Sequence, residues 1–263
     1  MRLDRFLANL PSHNRQQVRL MLAQRRVRVD GQVASDPLTE VREFSRVELD
    51  EQLLQAGRPA RYLMLHKPAG CVSATEDLQH RTVLDLLPTA LREDLHIAGR
   101  LDFNTTGLLI LTNDGQWSRR LTQPATKLPK HYLVETEDEI GEHYVAKFRE
   151  GFYFAFEDLT TQPAQLDILG PRQARLAIVE GRYHQVKRMF GHFGNKVVGL
   201  HRERMGAIHL DPGLAPGAFR ELTADEIATV QAATGSPASS HDRSARKVTF
   251  PPERHLQNPL PAA

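Results

Sequence analysis

Apolar residues near the start of the chain, Leu3, Phe6, Leu7 and Leu10, stand three and four positions apart, the spacing of one face of a short helix. A second helix is predicted over residues 14–23. Val18, Met21 and Leu22 line one side of it, Arg15 and Arg19 share another, and Asn14 offers the side-chain oxygen that an N-cap needs. The period then changes from about 3.6 to two. Val27, Val29 and Val33 alternate with polar residues around Asp30-Gly31, which reads as a hairpin. A Gly/Pro interruption at 55–59 ends this first unit.

Beyond it the apolar runs are longer. Residues 61–68 start as a buried strand and stop where Pro68 removes a donor; the block Leu108-Leu109-Ile110-Leu111 is apolar throughout, as a strand covered on both faces should be. Further strands are expected at 130–136, 165–169 and 174–179, and at 196–200 and 205–210 flanking His201-Arg202-Glu203-Arg204. Helices are expected at 116–121, 142–150 and 224–232, and from 185 onward, where Val186, Met189, Phe190 and Phe193 share one face. Long, irregular connections favour an α+β domain with a mixed, mainly antiparallel sheet over a doubly wound one. Past Gly235 the chain turns rich in Ser, Pro and Arg, a composition that cannot build a core. The expected division is therefore 1–58, 59–234 and a disordered tail at 235–263.

Charge changes this picture more than composition does. The net charge of +2 conceals seven arginines against one acid, Asp4, in residues 1–28, followed by three arginines against seven acids in 29–58. A basic surface concentrated at one end points to a polyanionic partner. No apolar run approaches the roughly 18 residues of a membrane helix, and Met-Arg-Leu-Asp-Arg does not open a signal peptide, so a soluble cytoplasmic protein is expected. Cys71 is the single cysteine and reads as a buried thiol. His192, His201 and His209 lack metal-ligand spacing and are expected at the surface or facing RNA, so no metal is expected. Neither phosphate-cradling glycine fingerprint occurs, which disfavours nucleotide cofactors.

Two stretches carry candidate chemistry. In Gly99-Arg100-Leu101-Asp102-Phe103-Asn104-Thr105-Thr106-Gly107 an acidic turn runs straight into the apolar block, which holds Asp102 beside the core. A carboxylate there is costly to keep ionised without a cation or several donors. It is either part of an Asx turn or a nucleophile or general base whose surroundings Arg100, Thr105 and Thr106 shape. In residues 180–190, His184, Lys187 and Arg188 border the apolar face of the helix as a cationic edge. Such an edge holds a carboxylate ionised, grips phosphates or is simply solvated.

Residues 1–50, with Arg-Leu-Asp-Arg-Phe-Leu, a helix from Arg15, Arg26-Val27-Arg28-Val29-Asp30-Gly31 and Asp36-Pro37, resemble the S4 RNA-binding domain, although Gln24 stands where many such domains have glycine. The resemblance implies an RNA-docking face made of Arg2, Arg5, Arg15, Arg19, Arg25 and Arg28. Gly99-Arg100-Leu101-Asp102 with Thr105-Thr106-Gly107-Leu108, then Lys130-His131-Tyr132, then residues 181–190 resemble, in order, the pseudouridine synthases of the RsuA family. That resemblance implies a cofactor-independent isomerisation in which Asp102 attacks a flipped uridine, Tyr132 stacks on its base and Lys187 pairs with Asp102; many relatives carry arginine at this last position. It also assigns substrate contacts to Arg100, Thr105, Thr106, Arg182, His184, Gln185, Val186, Arg188 and Arg202. The Tyr-His-Gln-Val-Lys wording is closer to the small-subunit branch and implies 16S ribosomal RNA as partner, at position 516, bound by a monomer in a small-subunit assembly intermediate. A large-subunit substrate and a non-catalytic S4-type assembly factor are the alternatives.

Overall fold

The structure is a computed structural model that describes residues 1–11 and 13–232; the expected tail at 235–263 lies outside the described residues. Helices α1 (Leu3–Ala8) and α2 (Arg15–Ala23) pack on an antiparallel sheet of β1 (Val27–Val29), β2 (Gln32–Val33), β3 (Val47–Leu49) and β4 (Gln52–Gln55), in the order β2-β1-β3-β4. Asn14 caps α2 through a reciprocal pair: its side chain accepts from Gln17 N at 2.9 Å, and the Gln17 side chain accepts from Asn14 N at 2.8 Å. The helix exit needs no glycine at 24, because Arg25 takes the left-handed turn (φ 57°) while Arg26 N donates to Met21 O at 3.1 Å. Leu3, Leu7, Val18, Leu22, Val27 and Val47 close the small core.

The larger unit runs through β5 (Tyr62–Lys67), α3 (Thr89–Arg92), β6 (His96–Ala98), β7 (Thr106–Thr112), α4 (Gly115–Thr122), β8 (Lys130–Thr136) and α5 (His143–Glu150). A two-stranded ribbon, β9 (Tyr153–Phe154) and β10 (Leu159–Thr160), leads to β11 (Gln165–Gly170), β12 (Gln173–Ile178), α6 (Gln185–Gly191), β13 (Val197–Met205), β14 (Ile208–His209), β15 (Phe219–Glu221) and α7 (Ala224–Ala232). The main sheet has the order β11-β12-β8-β13-β7-β5-β15, with β14 on β13 and β6 on β7. Its β13–β7 pairing is parallel and its other pairings are antiparallel, so the sheet is mixed and mainly antiparallel.

Two-sided burial explains the unbroken apolar run of β7. Leu109 and Leu111 join one core with Tyr132, Val134, Leu176, Met189 and Phe190, beneath α5 and α6. Leu108 and Ile110 face the other, with Met64, Trp117, Leu121 and Met205. Successive residues of a strand point to opposite faces, so a sheet with helices on both sides asks for hydrophobic residues at every position.

One expectation is corrected. Residues 196–200 and 205–210 are not two strands flanking a charged turn, because β13 passes straight through His201-Arg202-Glu203-Arg204. Alternation accommodates the charges: Arg202 points inward onto backbone carbonyls, while Glu203 pairs with Arg175 of β12 at 2.9 Å. His201 is likewise not a free surface residue, since its Nδ1 lies 2.8 Å from Thr106 Oγ1 and its ring packs edge-on to His66. His192 and His209 are exposed, and Cys71 is buried.

The two units meet at a buried acid. Asp114 caps α4 by accepting from Gln116 N and Trp117 N, and it also takes a hydrogen bond from Tyr62 Oη at 2.8 Å and the guanidinium of Arg42 from the N-terminal unit. Burial pushes its carboxyl upward, but the Trp117 amide, Tyr62 and Arg42 outweigh that and hold it below the ordinary aspartate value.

Candidate active site

The 99–107 loop is shaped from below by two buried cations. Lys67, at the end of β5, is fully buried, and its Nζ donates to Pro68 O (3.0 Å), Phe103 O (3.0 Å) and Thr105 O (2.9 Å). Arg202, only 1% exposed, donates from β13 to Leu108 O at 2.8 Å, Gly99 O at 2.9 Å and Arg100 O at 3.5 Å. Ser73 adds a third brace: its Oγ accepts from Leu101 N at 3.0 Å and donates to Leu101 O at 2.7 Å. Neither Lys67 nor Arg202 has a carboxylate within salt-bridge reach among the described residues. Their charge is spent on the carbonyls of the loop, whose sharp path would otherwise leave buried acceptors unpaired.

The loop leads directly into the parallel β13–β7 junction. Gly107 has φ +108°, and a Cβ there would lie 2.3 Å from Arg202 O and 2.6 Å from Arg202 N. Glycine is required twice over, by the backbone conformation and by the neighbouring strand.

Asp102 is presented at the top of this scaffold. Its side chain is 29% exposed, so the acid, set beside the core as its place before the apolar run suggests, stands at the wall of an open cleft. Lys187 Nζ lies 3.4 Å from Oδ2, and His184 Nε2 lies 3.6 Å from Oδ1. Both side chains come from the start of α6, where His184 adopts the left-handed conformation (φ 47°, ψ 30°), a conformation uncommon for a residue other than glycine. Its ring stacks on that of Tyr183, with centroids 3.9 Å apart.

Around the acid lies a cleft of about 620 Å³, large enough for a nucleotide. Tyr132 lines it from β8 and is largely buried, so it offers part of its ring to whatever enters. Asp102, Tyr132 and Lys187, which are 30 and 55 residues apart in sequence, thus share one cavity. Arg100, Thr105, Arg182, His184, Gln185, Val186 and Arg202 line it as well.

Several of these residues act differently from the sequence expectation. Gln185 is buried and serves as a lock, accepting from Arg182 N at 2.9 Å and donating to Glu180 at 2.8 Å. Val186 belongs to the core beneath the cleft as well as to its wall. The Thr105 hydroxyl is buried without a partner among the described residues. Thr106 and Arg188 do not line the cleft: the Thr106 hydroxyl meets His201, while Arg188 pairs with Glu157 at 2.6 Å and lies over the Phe154 ring at 3.6 Å. Arg202 lines the cleft but directs its guanidinium onto the carbonyls of the 99–107 loop and of Leu108. Lys67, Ser73, Lys130 and Tyr183 were missed, because a lysine at a strand end, a loop serine and an exposed aromatic give no periodic signal.

The remaining arginines lie on the N-terminal unit. Arg2, Arg5, Arg15, Arg19, Arg25 and Arg28 are all exposed, although Arg2 pairs with Asp4 at 2.5 Å. Among the described residues no three His, Cys, Asp or Glu side chains are grouped to share a metal ion. No helix among them is long and apolar enough to cross a membrane.

The parallel junction thus sets one acid beside Lys187 and His184 in a cleft that Tyr132 also lines, and a small domain with exposed arginines precedes it; the comparisons with known proteins give the class of enzyme, one that acts on RNA. Residues 61–192 match the family model for RNA pseudouridylate synthase, and residues 1–47 match that of the S4 domain. The chain is 66% identical over 230 residues to ribosomal small subunit pseudouridine synthase A of Pseudomonas aeruginosa, covering 88% of this chain and 100% of that protein. It is 44% identical to the protein of that name from Escherichia coli K12, again over 88% of this chain and 100% of the other. A crystal structure of a pseudouridylate synthase superposes with a TM-score of 0.64 at 40% identity, covering 88% of this chain and 99% of that one. The chain belongs to the RNA pseudouridylate synthase family and carries an N-terminal S4 domain. It is a pseudouridine synthase.

Proposed function

We propose that this enzyme isomerises one uridine of small-subunit (16S) ribosomal RNA, with position 516 as the expected target, and that Asp102 is its nucleophile. The observation that carries the reading is the placement of Asp102 between Lys187 and His184 at the wall of a nucleotide-sized cleft that Tyr132 also lines. The names of relatives 66% and 44% identical support the small-subunit assignment.

The chemistry follows from the groups present. A uridine buried in structured RNA has to swing out of its stack to reach the cleft, and an aromatic ring such as Tyr132 receives its base. Asp102 attacks the nucleotide at the ribose or at the base, and the C1′–N1 bond breaks with its electron pair leaving on the uracil. The base turns within the cleft and C5 bonds to C1′ as the bond between Asp102 and the nucleotide breaks, which returns the carboxylate; the C5 proton then departs to solvent and N1 takes up a proton. Lys187 offsets the charge of the acid, and His184 helps to keep it oriented. Atoms and electrons balance within the substrate, so the reaction itself consumes nothing.

The exposed arginines of the S4 domain, centred on Arg15 and Arg19, dock the phosphate backbone beside the target. Action as a monomer in the cytoplasm, on an assembling small subunit, completes the reading. Mapping carbodiimide-reactive pseudouridines in ribosomal RNA from cells with and without the gene tests the assignment. Loss of one modification in the small-subunit RNA is expected. Loss confined to large-subunit RNA would reassign the substrate, and an unchanged map would remove the proposal.

A further inference from the structure

Lys130 opens β8 two positions before Tyr132, so both side chains leave the same face of the strand, and both line the cleft. It is a poorly satisfied buried ammonium. Only 7% of the residue is exposed, yet among the described residues its Nζ donates only to Leu128 O, at a long 3.4 Å, and no carboxylate lies within 4.0 Å of it. An ammonium has three hydrogens to place, and burying them without acceptors is costly. Lys67, the other deeply buried lysine, shows the contrast, since it satisfies three carbonyls at 2.9–3.0 Å. Burial pulls the Lys130 amine below the ordinary lysine value, and the charge of Arg202 adds to this against the opposing pull of Glu180. The surroundings therefore lack negative charge where this cation sits.

A uracil in the cleft supplies what is lacking. When the C1′–N1 bond breaks, the electron pair left on N1 spreads onto the carbonyl oxygens O2 and O4, so the departing base carries negative charge at its edge. We propose that Lys130 is a catalytic residue that donates to a carbonyl oxygen of the uracil and stabilises the anion formed as the glycosidic bond breaks. Tyr132 covers the face of the base while Lys130 addresses its edge. No proton has to transfer: the ammonium meets growing charge and releases it when C5 bonds to C1′. A preplaced, buried donor acts chiefly on the transition state, because its full partner exists only there.

This inference rests on the reading that the C1′–N1 bond is broken in this cleft. Lys130→Met keeps most of the length and the apolar stem of the side chain and removes its donors. In single-turnover tritium release from 5-tritiated uridine RNA, its rate is expected to fall by about 10²-fold or more, while the affinity for RNA stays within about threefold of wild type. Lys130→Cys separates an amine requirement from a packing requirement. It should be equally impaired, and alkylation with 2-bromoethylamine, which rebuilds an ammonium one sulfur away from lysine, should restore at least tenfold of the loss. Wild type treated in parallel controls for Cys71. If Lys130→Met turns over within threefold of wild type, or if the alkylated Lys130→Cys protein stays as slow as the untreated one, the proposal is overturned. Should Lys130→Met fail to fold, the treated and untreated Lys130→Cys samples decide alone. An active Asp102→Asn protein would instead overturn the nucleophile assignment, so the two failures are told apart.

Discussion

The ammonium of Lys187 stands 3.4 Å from Asp102 Oδ2, with 35% and 29% of the two side chains exposed. A pair so open to water adds little to folding, typically 0–1 kcal/mol, so its value lies in orienting and offsetting the acid. Lys187→Met should slow isomerisation by about 10²-fold or more and shift Tm by less than about 3 °C. Lys187→Arg should recover much of the rate, since a guanidinium also reaches the carboxylate. Tritium-release kinetics beside thermal melts check both. A Tm collapse in Lys187→Met would make the residue structural.

Gly107 separates clash from conformation when it is compared with Gly31. Both have positive φ, but a Cβ at 31 meets nothing within 4 Å, whereas at 107 it runs into the Arg202 backbone at 2.3 Å. Gly31→Ala should cost about 1 kcal/mol, the conformational penalty alone. Gly107→Ala should cost roughly 3 kcal/mol or more and lose activity with it, because the loop carrying Asp102 leaves the parallel junction. Chemical denaturation of the two variants reads the difference directly, and equal costs would contradict it.

Much of this arrangement is legible in the sequence. The unbroken Leu108–Leu111 run announces a strand buried on both faces, and the helical spacing of Val186, Met189 and Phe190 puts Lys187 beside the core. Two things are hidden there, for one physical reason. The sequence sets Asp102 beside the core, but it is the loop's carbonyls that are buried, and Lys67 and Arg202 answer them from 36 and 103 residues away. Residues 201–204 read as a charged break because a strand that aims an arginine at backbone oxygens looks, in sequence, like a turn. Long-range hydrogen bonding to the main chain leaves no trace in periodicity.

Arg42 and Asp114 join the two domains, and the pair should show itself in acid. The folded carboxyl lies below the ordinary aspartate value, so the stability it contributes is complete above the unfolded pKa, about 3.9, and is lost as pH falls toward the lower folded value. Arg42→Ala should cost about 1–2 kcal/mol at neutral pH, allowing for a guanidinium that is 27% exposed. The gap from wild type should narrow below about pH 4 as Asp114 protonates in both proteins. Thermal melts between pH 3 and pH 7 give the test; a gap that widens in acid would have the wrong sign.

Arg15 and Arg19 are exposed on one helix, and neither has an ion-pair partner among the described residues. Replacing both by alanine should weaken RNA binding across sequences. It should also reduce the slope of log K against log salt by about 0.7–0.9 for each phosphate no longer neutralised, leaving single-turnover chemistry at saturation unchanged. Titrations at several salt concentrations measure this. An unchanged slope would place the docking surface elsewhere.

The central claim is that Asp102 attacks the nucleotide, and Asp102→Asn tests it most directly, because the amide keeps the shape and removes the nucleophile. Tritium release from 5-tritiated uridine RNA, measured beside RNA affinity on the same preparation, should fall below detection while binding stays within a few-fold of wild type. Release at an undiminished rate would contradict the account.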